Sequence, residues 1–238
     1  MPWRRSATCS VRPSSTSPIR AMDTSGVALQ LRAEAFNHYR CDGDLTMGLD
    51  LAELAKAFCC ANNDDIITME AEEGWFDLLV TFEFESPEYG EIKKKKFDFL
   101  DVNGVPIEIP ESLESEAIVR MPSAKFMRIC NQLSSVGDRG PSDTVVVSIS
   151  VDKERVRFFT RGKAGYSTIV CRQTQTVDKP KEATLIEMKE RKVSLIFGLR
   201  YMNSFSKAST LSDQVTIKLS SDLLMVFEYK IAEMGYIR

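Results

Sequence analysis

The side chains best placed for chemistry are cations on stretches with helical patterning. Arg200, Asn203 and Lys207 recur at i, i+3 and i+7, which puts them on one stripe of a helix. Lys125 and Arg128 form a second polar stripe with Gln132, and Lys56 lies in a third helical stretch. Guanidinium and ammonium groups arrayed this way suit nucleic-acid phosphates, in contacts that are salt-sensitive and blind to base sequence. A plain solvated helix face has the same composition. Other chemistry has less to work with. His38 is the only histidine, so neither a His-paired nucleophile nor a histidine metal cluster can be assembled. Cys59 and Cys60 adjoin the apolar stripe of their helix, where free cysteine reads as core. There is no glycine-rich phosphate loop, and the acidic residues are scattered over strands and turns. These residues describe a binding protein, not an enzyme, and imply no cofactor or metal.

The elements that carry the cations repeat. Asp50 is placed to cap a helix over Leu51–Ala61, with Leu51, Leu54, Ala55 and Phe58 on one face. Asn62-Asn63-Asp64-Asp65 ends it, and Ile66-Ile67-Thr68-Met69 opens a strand. The pattern returns without gaps: Leu51 to Met69 aligns with Leu199 to Ile217. Each copy runs helix, turn, β-branched strand and then a strand ending in acid, at Thr81–Glu85 and at Val226–Tyr229. A further helix is expected at Ser123–Ser134, burying Phe126, Ile129, Cys130 and Leu133. It starts 76 residues before Leu199 (199 − 123). The same step back from Leu51 falls before Met1, so the front of the first copy is expected to be missing.

Strands are expected at Val27–Phe36, Asp65–Ala71, Phe76–Glu85, Ile92–Phe99, Ala117–Met121, Thr144–Val151, Arg155–Thr160, Ser167–Cys171, Ala183–Met188 and Lys192–Phe197. With few, short helices this is an α+β fold of antiparallel sheets. Lys93–Lys96 marks a solvated edge strand. Between Asp98 and Glu111, Gly104, Pro106 and Pro110 exclude regular structure, while Val105, Ile107 and Ile109 stay apolar, suited to partner contacts or to packing on the domain beneath. Met1–Arg20 carries Arg4, Arg5, Arg12 and Arg20 with no acid, a composition that fits both an organellar targeting segment and a disordered leader. The net charge of −3 with both signs mixed excludes a basic-tail type of nucleic-acid binder. The six cysteines show neither C-x-x-C nor zinc spacing, as in reduced thiols of an intracellular protein. No apolar run is long enough to span a bilayer.

Several long motifs carry a resemblance. They are YRCDxxLxMGxxL at Tyr39–Leu51, VRMPSAxFxRICxxLSSxGD at Val119–Asp138, IVCRQxxTVDKPxxAT at Ile169–Thr184, LRYMNSFxKA at Leu199–Ala208 and EYKIAEMGYIR at Glu228–Arg238. From about Ala21 onward the chain resembles the proliferating cell nuclear antigen family, the eukaryotic DNA sliding clamps, and plant-type sequences in particular. The resemblance implies two similar domains and a homotrimeric ring with helices lining the hole. Such a ring encircles duplex DNA as a processivity factor in replication and repair, in the nucleus. Its partners are DNA polymerase, other proteins carrying clamp-interacting peptides, and the clamp loader. The DNA-facing segment maps to Arg40–Cys59, with Arg40 as a DNA-binding residue, and hole-lining cations map to Lys56, Arg128, Arg200 and Lys207. Partner peptides map to Met22, Asp23, Val27, Val105, Ile109 and Pro110, and a modified lysine to Lys153.

The chain also departs from the family. Cys59 and Asn131 replace basic residues, Gly26 a histidine or similar residue, and Leu224 a proline, and Arg139–Asp143 is an insertion. The expected division is a leader at 1–20, an incomplete first domain at 21–98, a connector at 99–111 and a second domain at 112–238 lacking its last strand. At the subunit contact Lys125 and Gln132 stand where the family has acids, facing Lys93–Lys96, so like charges are expected to repel. The alternative is a ringless peptide-binding or interfering monomer that does not encircle DNA.

Overall fold

The computed structural model describes residues 7–11, 26–41, 49–73, 78–98, 115–136, 145–162, 165–174, 182–189, 192–220 and 225–238. The elements in order are β1 (Ala7–Val11), β2 (Val27–Leu31), α1 (Leu51–Phe58), β3 (Ile66–Glu73), β4 (Leu78–Ser86), β5 (Glu91–Asp98), β6 (Ala117–Pro122) and α2 (Ser123–Ser134). They continue with β7 (Val146–Val151), β8 (Arg155–Gly162), β9 (Gly165–Arg172), β10 (Leu185–Met188), β11 (Val193–Gly198), α3 (Leu199–Ser206), β12 (Gln214–Leu219), β13 (Met225–Ile231) and β14 (Gly235–Ile237). Short 3-10 turns follow β2 at Ala33–Ala35 and α3 at Lys207–Thr210. This is the α+β architecture that the alternating strand patterns imply.

The chain divides into two compact units. One gathers Met1–Thr8, Ile19–Tyr39 and Glu108–Arg238, and the other holds Cys9–Pro18 and Arg40–Ile107. The larger unit contains strands in the order β2-β14-β13-β12-β6-β10, with β1 next to β2 in the same sheet, and a second sheet of order β11-β7-β8-β9. Its strands alternate strictly: β6 buries Ala117, Val119 and Met121, and β12 buries Val215, Ile217 and Leu219. These two strands pair antiparallel, Val215 opposite Met121 and Ile217 opposite Val119. Helix α2 lays Phe126, Ile129, Cys130 and Leu133 onto that core, and α3 adds Leu199 and Met202. Each side chain of this kind contributes about 1.5–3 kcal/mol when fully buried, which is what holds the short helices in place. No side chain caps α2 at Pro122; instead the Ser123 N–H donates to the Asp213 carbonyl at 2.9 Å.

The smaller unit is a β3-β4-β5 sheet with α1 on one face. Asp50 caps α1 as expected: its Oδ1 accepts from the N–H groups of Ala52 at 2.7 Å and Glu53 at 3.3 Å. The buried cluster is small, made of Ala57, Val80, Phe82 and Phe84, with Leu49, Leu54, Ala61 and Phe97 packed against it. Strand β5 is an edge, and all four residues of Lys93–Lys96 are exposed on it. Lys93 and Lys95 stand opposite Phe84 and Phe82, while Lys94 reaches Glu83 at 2.6 Å.

Within the stretch expected as a leader, Ala7–Val11 forms a strand that joins the larger sheet. Three other sequence expectations are corrected. The segment after the leader does not join the first domain's sheet. Strand β2 pairs with β14 instead, Leu31 opposite Gly235 and Leu29 opposite Ile237. The reason is local fit: a Cβ on Gly235 would lie 1.9 Å from the Gln30 carbonyl oxygen, so only glycine permits this approach. The apolar stripe of α1 is only partly used, with Leu51, Ala55 and Phe58 exposed, Leu54 half-buried and Ala57 buried. Cys59 and Cys60 are exposed, whereas among the described residues Cys130 and Cys171 are the buried thiols. The reason is that α1 ends at Phe58, so Cys59 and Cys60 fall in the turn beyond it.

Candidate nucleic-acid and partner interface

The larger unit positions two of the expected cations by packing one helix against another. The Cys130 thiol lies 3.8 Å from the Met202 carbonyl, and Ser134 Oγ accepts from Asn203 Nδ2 at 2.9 Å. Ser134 also donates to the Cys130 carbonyl at 2.8 Å. Burial pushes the Cys130 thiol up to about 12, so it stays protonated and acts as packing. With α2 and α3 locked in this way, Arg128 on α2 and Arg200 on α3 are both exposed. Lys207, just after α3, is exposed as well. Arg200 is steadied by its neighbour: its guanidinium lies 4.7 Å from the centre of the Tyr201 ring and Nη2 donates to the Tyr201 hydroxyl at 2.7 Å.

Two members of the expected stripes point elsewhere. Asn203 is half-buried in the α2–α3 seam and is not on the solvent stripe with Arg200 and Lys207. Its short amide reaches Ser134, and satisfying a half-buried polar group outweighs leaving it in water. Lys125 is also half-buried, donating to Thr184 Oγ1 at 2.7 Å. Burial raises the Cys171 thiol, and the charges of Lys125 and Arg128 partly offset it.

In the smaller unit Lys56 is exposed on α1 but carries an ion pair with Glu53 at 2.6 Å. The hydrogen bond and charge of Glu53 raise the Lys56 ammonium above its ordinary value. The i, i+3 spacing of Glu53 and Lys56 was a readable signal for this pair. Arg40 is exposed just before the segment that carries α1. Of the DNA-facing segment, residues 42–48 lie outside the described residues.

Of the partner-binding positions only Val27 is described; it is exposed at the start of β2. Met22, Asp23, Val105, Ile109 and Pro110 lie outside the described residues, as do Ile107, the insertion Arg139–Asp143 and Leu224. Lys153 is exposed in the tight turn between β7 and β8. Asp152 fixes that turn, its Oδ1 accepting from the N–H groups of Glu154 at 3.0 Å and Arg155 at 2.9 Å. The Arg155 side chain hydrogen-bonds Asp152 at 2.9 Å and is the largest cause holding its carboxyl below the ordinary range.

Sequence reasoning missed the ionic site around Glu228. Glu228 on β13 accepts from Lys218 at 2.9 Å and Arg238 at 2.6 Å, and Arg238 stacks 4.1 Å from the centre of the Tyr236 ring. Burial alone would raise the Glu228 carboxyl; the two cations outweigh it and hold it below the usual glutamate value. Register across β12 and β13 brings Lys218 beside Glu228, and sequence spacing does not disclose register. Among the described residues no group of three or more His, Cys, Asp or Glu could hold a metal ion.

Comparison with protein-family models accounts for most of the chain. Residues 108–238 match the model described as proliferating cell nuclear antigen, C-terminal domain. Residues 7–105 match the model described as proliferating cell nuclear antigen, N-terminal domain.

Proposed function

Since the chain belongs to the proliferating cell nuclear antigen family, we propose that the exposed cations of its helices carry the phosphate contacts of a DNA sliding clamp. The protein is a DNA sliding clamp and polymerase processivity factor, and the family's members are non-enzymatic scaffolds that act in the nucleus. It binds DNA and partner proteins such as polymerases. The observation that carries the reading is the match of both domain models, which together span residues 7–238 apart from 106 and 107.

The mechanism is topological. A closed ring cannot leave a circular duplex by diffusion, so a polymerase bound to it stays near the template at high effective concentration. The contacts inside such a ring must be weak and sequence-blind, or it would not slide. Exposed Arg128, Arg200 and Lys207 supply that kind of contact, a few charge-assisted bonds to phosphate without base readout. Lys56 contributes less, because its Glu53 partner must be displaced or shared. Val27 belongs to the surface that takes partner peptides, with Met22, Asp23, Val105, Ile109 and Pro110. Lys153, on its exposed turn, is open to covalent modification. A clamp loader is the partner that opens the ring.

The test is retention on DNA of different topology. The protein is loaded by a clamp loader onto nicked circular DNA and the complex is isolated. Retention on the circle, with loss when a restriction enzyme linearises it, is the expected result. Equal loss from circle and line would refute encirclement and favour the ringless form.

A further inference from the structure

The β11-β7-β8-β9 sheet buries one face and charges the other. On β8, Val156, Phe158 and Thr160 are fully buried. Arg155, Arg157, Phe159 and Arg161 take the alternate positions and so share the outer face. Strand β9 adds Arg172 opposite Arg155 and Tyr166 opposite Arg161. The rows that cross the sheet through Arg157 and Phe159 hold serine, isoleucine, threonine and valine, with no carboxylate. Asp152, in the turn beyond, is taken by Arg155 at 2.9 Å. Among the described residues no acid pairs with Arg157, Arg161 or Arg172.

Aromatic rings sit among these cations. The Arg157 guanidinium lies over the Phe159 ring, 5.7 Å from its centre. The rings of Phe159 and Tyr166 have centres 6.1 Å apart, and Tyr166 is 73% exposed. Gly162 and Gly165 pair beside them with no side chains of their own. The result is an open cavity of about 450 Å³, lined by Phe159, Arg161, Tyr166 and the two glycines. Glycine in a strand leaves room for a ligand to approach closely.

We propose that this outer sheet face binds single-stranded nucleic acid, with Arg157, Arg161 and Arg172 on its phosphates and its bases stacked on Tyr166 and on the Arg157–Phe159 pair. Charge complementarity selects a polyanion. The rings select among polyanions. An acidic peptide or an anionic lipid surface has no planar bases to lay on them, and a duplex keeps its bases stacked on one another. Unpaired bases present their faces to aromatic rings and to guanidinium planes. Stacking of this kind tolerates any sequence, because every base has a π-face. None of the cations assigned to duplex DNA lies on this face, so the two readings stand or fall apart.

The probe is a labelled oligothymidylate of about 16 nucleotides, the upper end of single-strand site sizes, titrated into the full chain by fluorescence anisotropy. Saturable binding is expected. Tyr166→Ala should weaken it about ten-fold by removing a stacking ring, while Tyr166→Phe, which keeps the ring, binds like the parent. Replacing Arg157 and Arg161 together with glutamine should flatten the slope of log affinity against log salt by about 1.4, at about 0.7 per cation on a single strand. All three side chains are exposed, so these variants should melt with the parent. The effect of Tyr166→Ala should persist when Arg200 and Lys207 are both alanine. Absence of saturation would overturn the proposal, as would equal binding by parent and Tyr166→Ala. An abasic strand of the same length that binds as tightly would also overturn it, showing a face that reads negative charge alone, as an acidic peptide would supply. Loss of the Tyr166 effect in the Arg200→Ala, Lys207→Ala background would overturn it too, assigning the binding to the helix cations.

Discussion

Replacing Arg200 and Lys207 together with alanine tests the phosphate reading most directly. Both side chains are exposed, so the fold should survive. The change removes the stacking of Arg200 on Tyr201, worth about 0.5–1 kcal/mol at an exposed site. Each cation on phosphate contributes about 0.9 to the slope of log affinity against log salt, so losing two should flatten that slope by about 1.8. Over a fourfold rise in salt, from about 50 to about 200 mM, the parent should then lose about twelve-fold more affinity than the variant. The assay is fluorescence anisotropy of a labelled duplex across that range, repeated on two unrelated sequences. The flattening should be the same on both, since phosphate contacts carry no base information. Lys125→Ala is the comparison: its ammonium is engaged with Thr184, so its slope should match the parent. Parallel salt plots for parent and double variant would refute the reasoning, and so would a Lys125→Ala variant that flattens as much as the pair.

Three further outcomes follow from the same structure. Glu228→Gln should destabilise the protein by roughly 1.5–3 kcal/mol at neutral pH, because it removes a carboxylate accepting from two cations. The folded carboxyl lies below its unfolded value of about 4.3, so its contribution is full above that pH and disappears as pH falls through the folded value. The gap in melting temperature between parent and variant should therefore close on acidification, and a gap constant down to about pH 3 would contradict the assignment. Gly235→Ala should cost about 1–3 kcal/mol and release β2, because its Cβ meets the Gln30 carbonyl. Hydrogen exchange at Ala28 and Arg32, whose N–H groups donate to Arg238 and Met234 at 2.8 Å, should rise with it. Ring closure should strengthen with salt if Lys93–Lys96 opposes Lys125 across the subunit contact, so light scattering on dilution should show more trimer at high salt than at low. A trimer equally resistant to dilution at both would remove the repulsion account.

The elements were legible in the sequence because their causes are local. The cap at Asp50, the buried face of α2 and the alternation of β6 and β12 depend on residues a few positions apart. The repeat from Leu51 to Met69 and from Leu199 to Ile217 was legible too, along with the long motifs that carry the family. The tertiary structure alone decided what lies across from each element. It gave Asn203 to Ser134 and Lys125 to Thr184, leaving Arg128, Arg200 and Lys207 as the exposed cations of the expected helix stripes in the larger unit. It placed β2 beside β14 through the bare backbone of Gly235, and it gathered Lys218 and Arg238 on Glu228. It also distinguished two copies of one pattern: β12 pairs β6 as well as β13, whereas among the described residues β3 pairs β4 alone. A sequence states which side chains share a face, since helix and strand periods are fixed by the backbone. Which partner covers that face depends on pairing between distant segments, and periodicity holds no information about that.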